Sequence, residues 1–69
     1  MTLEQLYLKC VGDSTNKAFA CATGFSVRLW NYIRAGDRPL KWSVVKGMIR
    51  ARPDMREEIV AWFLERELL

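Results

Sequence analysis

Glycine residues divide this chain into short segments. Gly12, Gly24 and Gly36 each follow a stretch in which apolar residues recur at helical spacing, and glycine is the residue that most often ends a helix. Polar residues that cap helix N-termini open the same stretches: Thr2 with Gln5 as a capping box, then one of Asp13, Ser14 and Thr15, then Ser26. The pattern predicts helices over about 3–11, 15–23 and 26–35.

Two prolines separate the remaining helices. The basic loop Asp37-Arg38-Pro39 cannot continue a helix, and Arg52-Pro53-Asp54 interrupts the chain again. Helices are therefore predicted over about 41–51 and 55–67, the latter opened by a capping box of Asp54 and Glu57. No segment alternates as a strand would. The expected fold is all-α, a compact bundle of about five short helices in a single domain, residues 1–69.

The predicted inner faces of the first two helices contain the two cysteines. Cys10 and Cys21 are expected to pack as small hydrophobes rather than to form a disulfide. Between 15 and 23 the apolar stripe is formed by Ala18, Phe19 and Ala22. The chain has no histidine, and two lone cysteines match no zinc-site spacing, so neither a metal nor a cofactor is expected.

Positive charge is concentrated in the middle of the chain. Residues 27–52 contain seven lysines or arginines and one acidic residue, Asp37, a net charge of +6, whereas residues 53–69 have a net charge of −3. Such a segment is typical of a surface that faces phosphates, although a solvated face without a partner is the alternative. No apolar run approaches the roughly 18 to 20 residues that span a bilayer, and the opening MTLEQLYLK lacks the pattern of a signal peptide. These features predict a cytoplasmic protein without a membrane segment.

The predicted helix over 26–35 has two different sides. At 100° per residue, Leu29, Trp30 and Ile33 cluster on one side, which can pack. The other side is free to contact a partner, and it contains Val27, Arg28, Asn31, Tyr32 and Ala35.

The central part of the chain resembles the Cro and phage-repressor helix-turn-helix family, also called XRE-like. The residues that match its pattern are Thr15, Phe19, Ala20, Gly24, Phe25 and Ser26, followed by Trp30, Ile33, Gly36 and the loop ending at Pro39. The chain departs at Arg34, where the family commonly has glutamate, and at Trp30, which is larger than the usual aliphatic residue. The resemblance implies a lambda-repressor-like helix-turn-helix over 15–36.

The resemblance also implies a sequence-specific regulator of transcription, a Cro-like or phage-type repressor that binds double-stranded DNA. The second helix of the helix-turn-helix, over 26–35, would enter the major groove. Val27 would then meet a thymine methyl, Arg28 a guanine and Asn31 an adenine, with Tyr32 at the edge of that face. The phosphate contacts would come from Ser14, Thr15, Asn16, Lys17, Ser26, Arg34, Arg38 and Lys41.

The last helix is apolar on more than one side. Met55, Ile59, Trp62 and Phe63 form one stripe, and Val60, Leu64 and Leu68 form a second. The second stripe predicts a homodimer interface, and the alternative is a terminal helix wrapped deeply into its own core. The same stripe supports an alternative function, a small protein-interaction module such as an antirepressor or antitoxin. Catalysis is not expected, since the sequence has no histidine and no evident pair of catalytic carboxylates.

Overall fold

Short helices account for about three quarters of the chain. A computed structural model describes residues 1–68, with side chains described for residues 1–66. The helices are α1 (Leu3–Val11), α2 (Asn16–Thr23), α3 (Val27–Ala35), α4 (Trp42–Ala51) and α5 (Arg56–Leu68), with a 3₁₀ turn at Pro53–Met55. Residues 1–68 contain no strand. The predicted all-α bundle of five short helices is confirmed.

Side-chain caps set the start of the first three helices. The Thr2 hydroxyl accepts from the Gln5 backbone N–H, and the Gln5 side chain accepts from the Thr2 N–H, so the predicted capping box is present. Thr15 and Ser26 cap α2 and α3 in the same way, each accepting from the N–H three residues on. The capping box expected at α5 is wrong. Asp54 accepts from the Arg52 guanidinium instead.

The turn between α2 and α3 depends on Gly24. Gly24 adopts the left-handed conformation, with φ of +83°, which costs glycine no steric strain. Its N–H and that of Phe25 both donate to the Ala20 carbonyl, at 3.1 and 3.3 Å, and satisfy the end of α2. The chain therefore turns within three residues and begins α3 at Val27.

Helix α4 packs closely against the end of α2, and this contact depends on Gly47. A Cβ atom at Gly47 would lie 2.7 Å from the Thr23 carbonyl oxygen and 3.0 Å from the Phe25 ring. Glycine weakens a helix interior by about 1 kcal/mol relative to alanine. Here its absent side chain allows two backbones to approach, so the end of α2 rests directly on α4.

The core differs from the predicted inner faces in α2. Cys10 is buried, as expected, but the prediction for Cys21 is wrong because its side chain is exposed, and both thiols are free. Ala18 and Ala22 are exposed as well, and α2 instead buries Phe19, Ala20 and Thr23. The apolar pattern of α2 is ambiguous because alanines and Cys21 surround the helix, and the packing of Phe19 decides which side turns inward.

Helix α5 buries one of its two predicted apolar stripes. Met55 and Ile59 are buried in the core, with Trp62 and Phe63 packed against it. Leu64 is 50% exposed and Val60 is half-buried, so α5 is not wrapped into the core on all sides. The side chain of Leu68, the third member of the second stripe, lies outside the described residues.

Candidate nucleic-acid interface

The outward face of α3 is the center of the candidate interface. Arg28, Asn31 and Tyr32 are exposed and Val27 is half-buried. They are exposed because Trp30 and Ile33, on the opposite side of the same helix, are buried in the core. The Arg28 guanidinium lies 5.9 Å from the center of the Tyr32 ring, one turn away along the helix. The exposed face therefore offers a cation, an amide and a phenol.

A buried hydrogen bond fixes how α3 sits on α2. The Trp30 indole Nε1 donates to the Thr23 hydroxyl at 3.0 Å, and this hydroxyl donates to the Ala20 carbonyl at 2.7 Å. Trp30 is also packed against Tyr7 and Phe19, with ring centers 5.2 and 5.6 Å away. No sequence pattern singled out Thr23. Its role follows only from its position opposite Trp30, and it joins α3 to the end of α2.

The start of α2 exposes the polar residues predicted to meet phosphate. Ser14, Asn16 and Lys17 are exposed, and so is Thr15, whose hydroxyl is already used as the N-cap. The Asn16 side chain accepts from the Tyr7 hydroxyl at 3.4 Å. Burial raises the pKa of Tyr7, which keeps this hydroxyl protonated and able to donate. Asn16 is therefore positioned at the surface by its hydrogen bond with Tyr7.

Arg34 is half-buried and engaged by Glu4 and Tyr7. Its Nε donates to Glu4 Oε1 at 2.9 Å and to Oε2 at 3.2 Å, and its guanidinium lies 4.4 Å from the center of the Tyr7 ring. The hydrogen bonds that Arg34 donates to Glu4 raise the pKa of Arg34. Because this pair joins α3 to α1, Arg34 contributes to the docking of α3, and its guanidinium is already engaged where the sequence predicted a phosphate contact.

The loop after α3 brings two further cations beside that helix. A shallow hollow between α3 and α4 is lined by residues of both helices and of the loop, among them Leu29, Arg38 and Lys41. In the part of the chain with described side chains, neither cation forms a salt bridge, and the same holds for Lys17 and Arg28. Unpaired cations thus lie on the outward face of α3, beside it and at the start of α2. Such an arrangement suits a polyanion.

The described residues contain no group of three or more histidine, cysteine or acidic side chains that could hold a metal ion. None of their helices combines the length and the apolar character needed to cross a bilayer. Comparison with known proteins found no matching family model, no matching curated protein and no matching solved structure.

Proposed function

We propose that this chain binds double-stranded DNA sequence-specifically, with the outward face of α3 in the major groove, and regulates transcription as a Cro-like or phage-type repressor. The observation that carries the proposal is the exposure of Arg28 and Asn31 on a helix whose opposite side is docked by the buried, hydrogen-bonded Trp30. Arginine and asparagine are the side chains that form bidentate hydrogen bonds with guanine and adenine in the major groove.

The surrounding cations would add affinity that does not depend on the DNA sequence. Lys17, Arg38 and Lys41 would contact phosphates and position the duplex, without reading its sequence. Ser14, Thr15, Asn16 and Ser26, at the starts of α2 and α3, would add hydrogen bonds to the same backbone. Each phosphate contact makes the affinity depend more steeply on salt.

The decisive experiment is selection of bound sequences from a random duplex library, followed by titration of the best sequence at several salt concentrations. Arg28→Ala should cost about 1 to 3 kcal/mol and relax the preference at one base pair. Lys41→Ala should weaken binding to all DNA sequences alike, and it should lower the slope of log affinity against log salt concentration by about one. Lys9→Ala is the matched control, since Lys9 pairs with Glu58 between α1 and α5. If no sequence is enriched, or if the Lys9 variant weakens binding as much as the Arg28 variant, the proposal is wrong.

Homodimerisation through α5 stays a prediction. Leu64 is 50% exposed and available for such a contact, whereas Val60 borders three cations, Lys46, Arg50 and Arg56. A dimer would present two copies of α3 to half-sites about one helical turn apart. Light scattering of the free protein and of a Leu64→Glu variant tests this. A monomeric free protein would refute the prediction.

A further inference from the structure

A groove between α4 and α5 remains outside the candidate DNA interface. Its apolar lining consists of Trp42 and Ile49 from α4 and Val60 from α5. Trp42 is 48% exposed although it packs against the Phe63 ring, 5.6 Å away between ring centers. Ile49 and Val60 are only half-buried. The groove therefore leaves part of an aromatic ring and two branched aliphatic side chains open to solvent.

The other lining residues of the groove are all cationic. Lys46, Arg50 and Arg56 complete the lining, which includes no carboxylate. Among the residues with described side chains, none of the three forms a salt bridge. By contrast, Glu58 pairs with Lys9, and Asp54 pairs with Arg52. Glu58 and Asp54 thus pair outside the groove, and no carboxylate lines it.

Helical spacing makes this combination a feature of the fold. Trp42, Lys46, Ile49 and Arg50 follow one another at intervals of four, three and one along α4, so they share one side of that helix. Arg56 and Val60 are one turn apart on α5 and face them across the groove. Both helices therefore contribute apolar side chains and cations to the same groove.

We propose that this groove binds an acidic amphipathic helix of a partner protein. Apolar side chains at intervals of three and four residues on that helix would cover Trp42, Ile49 and Val60. Acidic side chains flanking its apolar stripe would pair with Lys46, Arg50 and Arg56. Tryptophan and arginine are the residues that most often dominate such interfaces.

Two other occupants fit the groove less well. A DNA duplex offers phosphates to the cations but no apolar ridge to cover the floor, and it is expected at α3. A second copy placed symmetrically on the groove would set two groups of three cations against each other, which is unfavourable. An acidic helix satisfies both the charge and the apolar surface, and its binding does not depend on the DNA proposal.

The test uses a fluorescent synthetic peptide of about 15 residues, long enough for an isolated helix to be populated. The peptide has leucines at helical spacing flanked by glutamates. Two control peptides have the same composition in scrambled order, or lysine in place of each glutamate. We expect only the amphipathic acidic peptide to bind, to bind more weakly at high salt, and to shift the indole resonance of Trp42 while leaving that of buried Trp30 unchanged.

Matched variants locate the binding site. Lys46→Glu should lower the affinity for the acidic peptide by about tenfold, because an attraction is replaced by a repulsion. Lys17→Glu makes the same change of charge on α2, away from the groove lining, and should leave peptide binding unchanged. Both lysines are exposed, so neither change disturbs the core.

Three outcomes would overturn the proposal. The first is equal binding of the scrambled peptide, and the second is equal weakening by the two charge reversals, since either would indicate unspecific attraction. The third is displacement of the peptide from Trp42 by a short DNA duplex or by dimer formation, which would assign the groove to a different occupant. Weaker DNA binding in the Arg28→Ala variant with peptide binding intact would support two separate surfaces.

Discussion

Replacing Thr23 by valine tests the bond that docks α3. Valine keeps the shape of the side chain but removes the hydroxyl that accepts from Trp30 Nε1 and donates to the Ala20 carbonyl. Both Thr23 and Trp30 are buried, so water cannot replace the lost partner. Leaving a buried donor unsatisfied costs about 1 to 3 kcal/mol.

The assay is urea denaturation followed by circular dichroism, with thermal unfolding as a second measurement. For a domain of this size each kcal/mol corresponds to about 4–8 °C in Tm. The control is Thr23→Ser, which keeps the hydroxyl and loses one methyl group, at a cost of about 1 kcal/mol. We expect the indole N–H resonance of Trp30 to move in the valine variant and to stay near its position in the serine variant.

The reasoning would be refuted if the free energy of unfolding of the Thr23→Val variant lay within about 0.5 kcal/mol of that of the parent protein, which is the range of a neutral surface change. It would also be refuted if the serine variant were the less stable of the two. Either result would mean that packing of the Trp30 ring, and not its hydrogen bond, holds α3 in place.

The remaining predictions concern packing, thiol reactivity and acid stability. Gly47→Ala should lose about 1 kcal/mol in urea denaturation, because the clash of a Cβ atom 2.7 Å from a backbone oxygen outweighs the better helix propensity; a more stable variant would contradict the close approach of α4. A thiol reagent should label Cys21 at once and Cys10 only on unfolding, since Cys10 is buried and desolvation raises its pKa to about 11; rapid labelling of both thiols would be inconsistent with the core. The hydrogen bond from Arg52 lowers the pKa of Asp54. The ionised Asp54 therefore stabilises the fold at pH values above the usual pKa of aspartate, and this contribution is lost as the pH falls through the lowered pKa. Stability below about pH 4 should therefore decline less steeply in an Asp54→Asn variant, and unchanged acid curves would rule this linkage out.

Local signals in the sequence were sufficient for the helices and for the candidate interface on α3. Glycine ends and hydroxyl caps act over three or four residues, so Thr15, Gly24 and Ser26 set the bounds of α2 and α3 without any distant contact. The strong contrast between Trp30 and Arg28 then decides which side of α3 is exposed. The weak apolar contrast in α2 did not decide its inner face, and Cys21 was placed wrongly.

The tertiary structure gave different roles to residues of the same type. Glu4 captures Arg34 from 30 residues away, whereas Arg38, in the following loop, has no salt bridge among the described residues. Thr23 and Gly47 matter because α2, α3 and α4 meet at one point. The cationic groove likewise exists only because α4 and α5 pack side by side. Contacts between residues far apart in the sequence depend on how the helices are arranged in space. The spacing of residues along the chain determines only where each helix begins and ends.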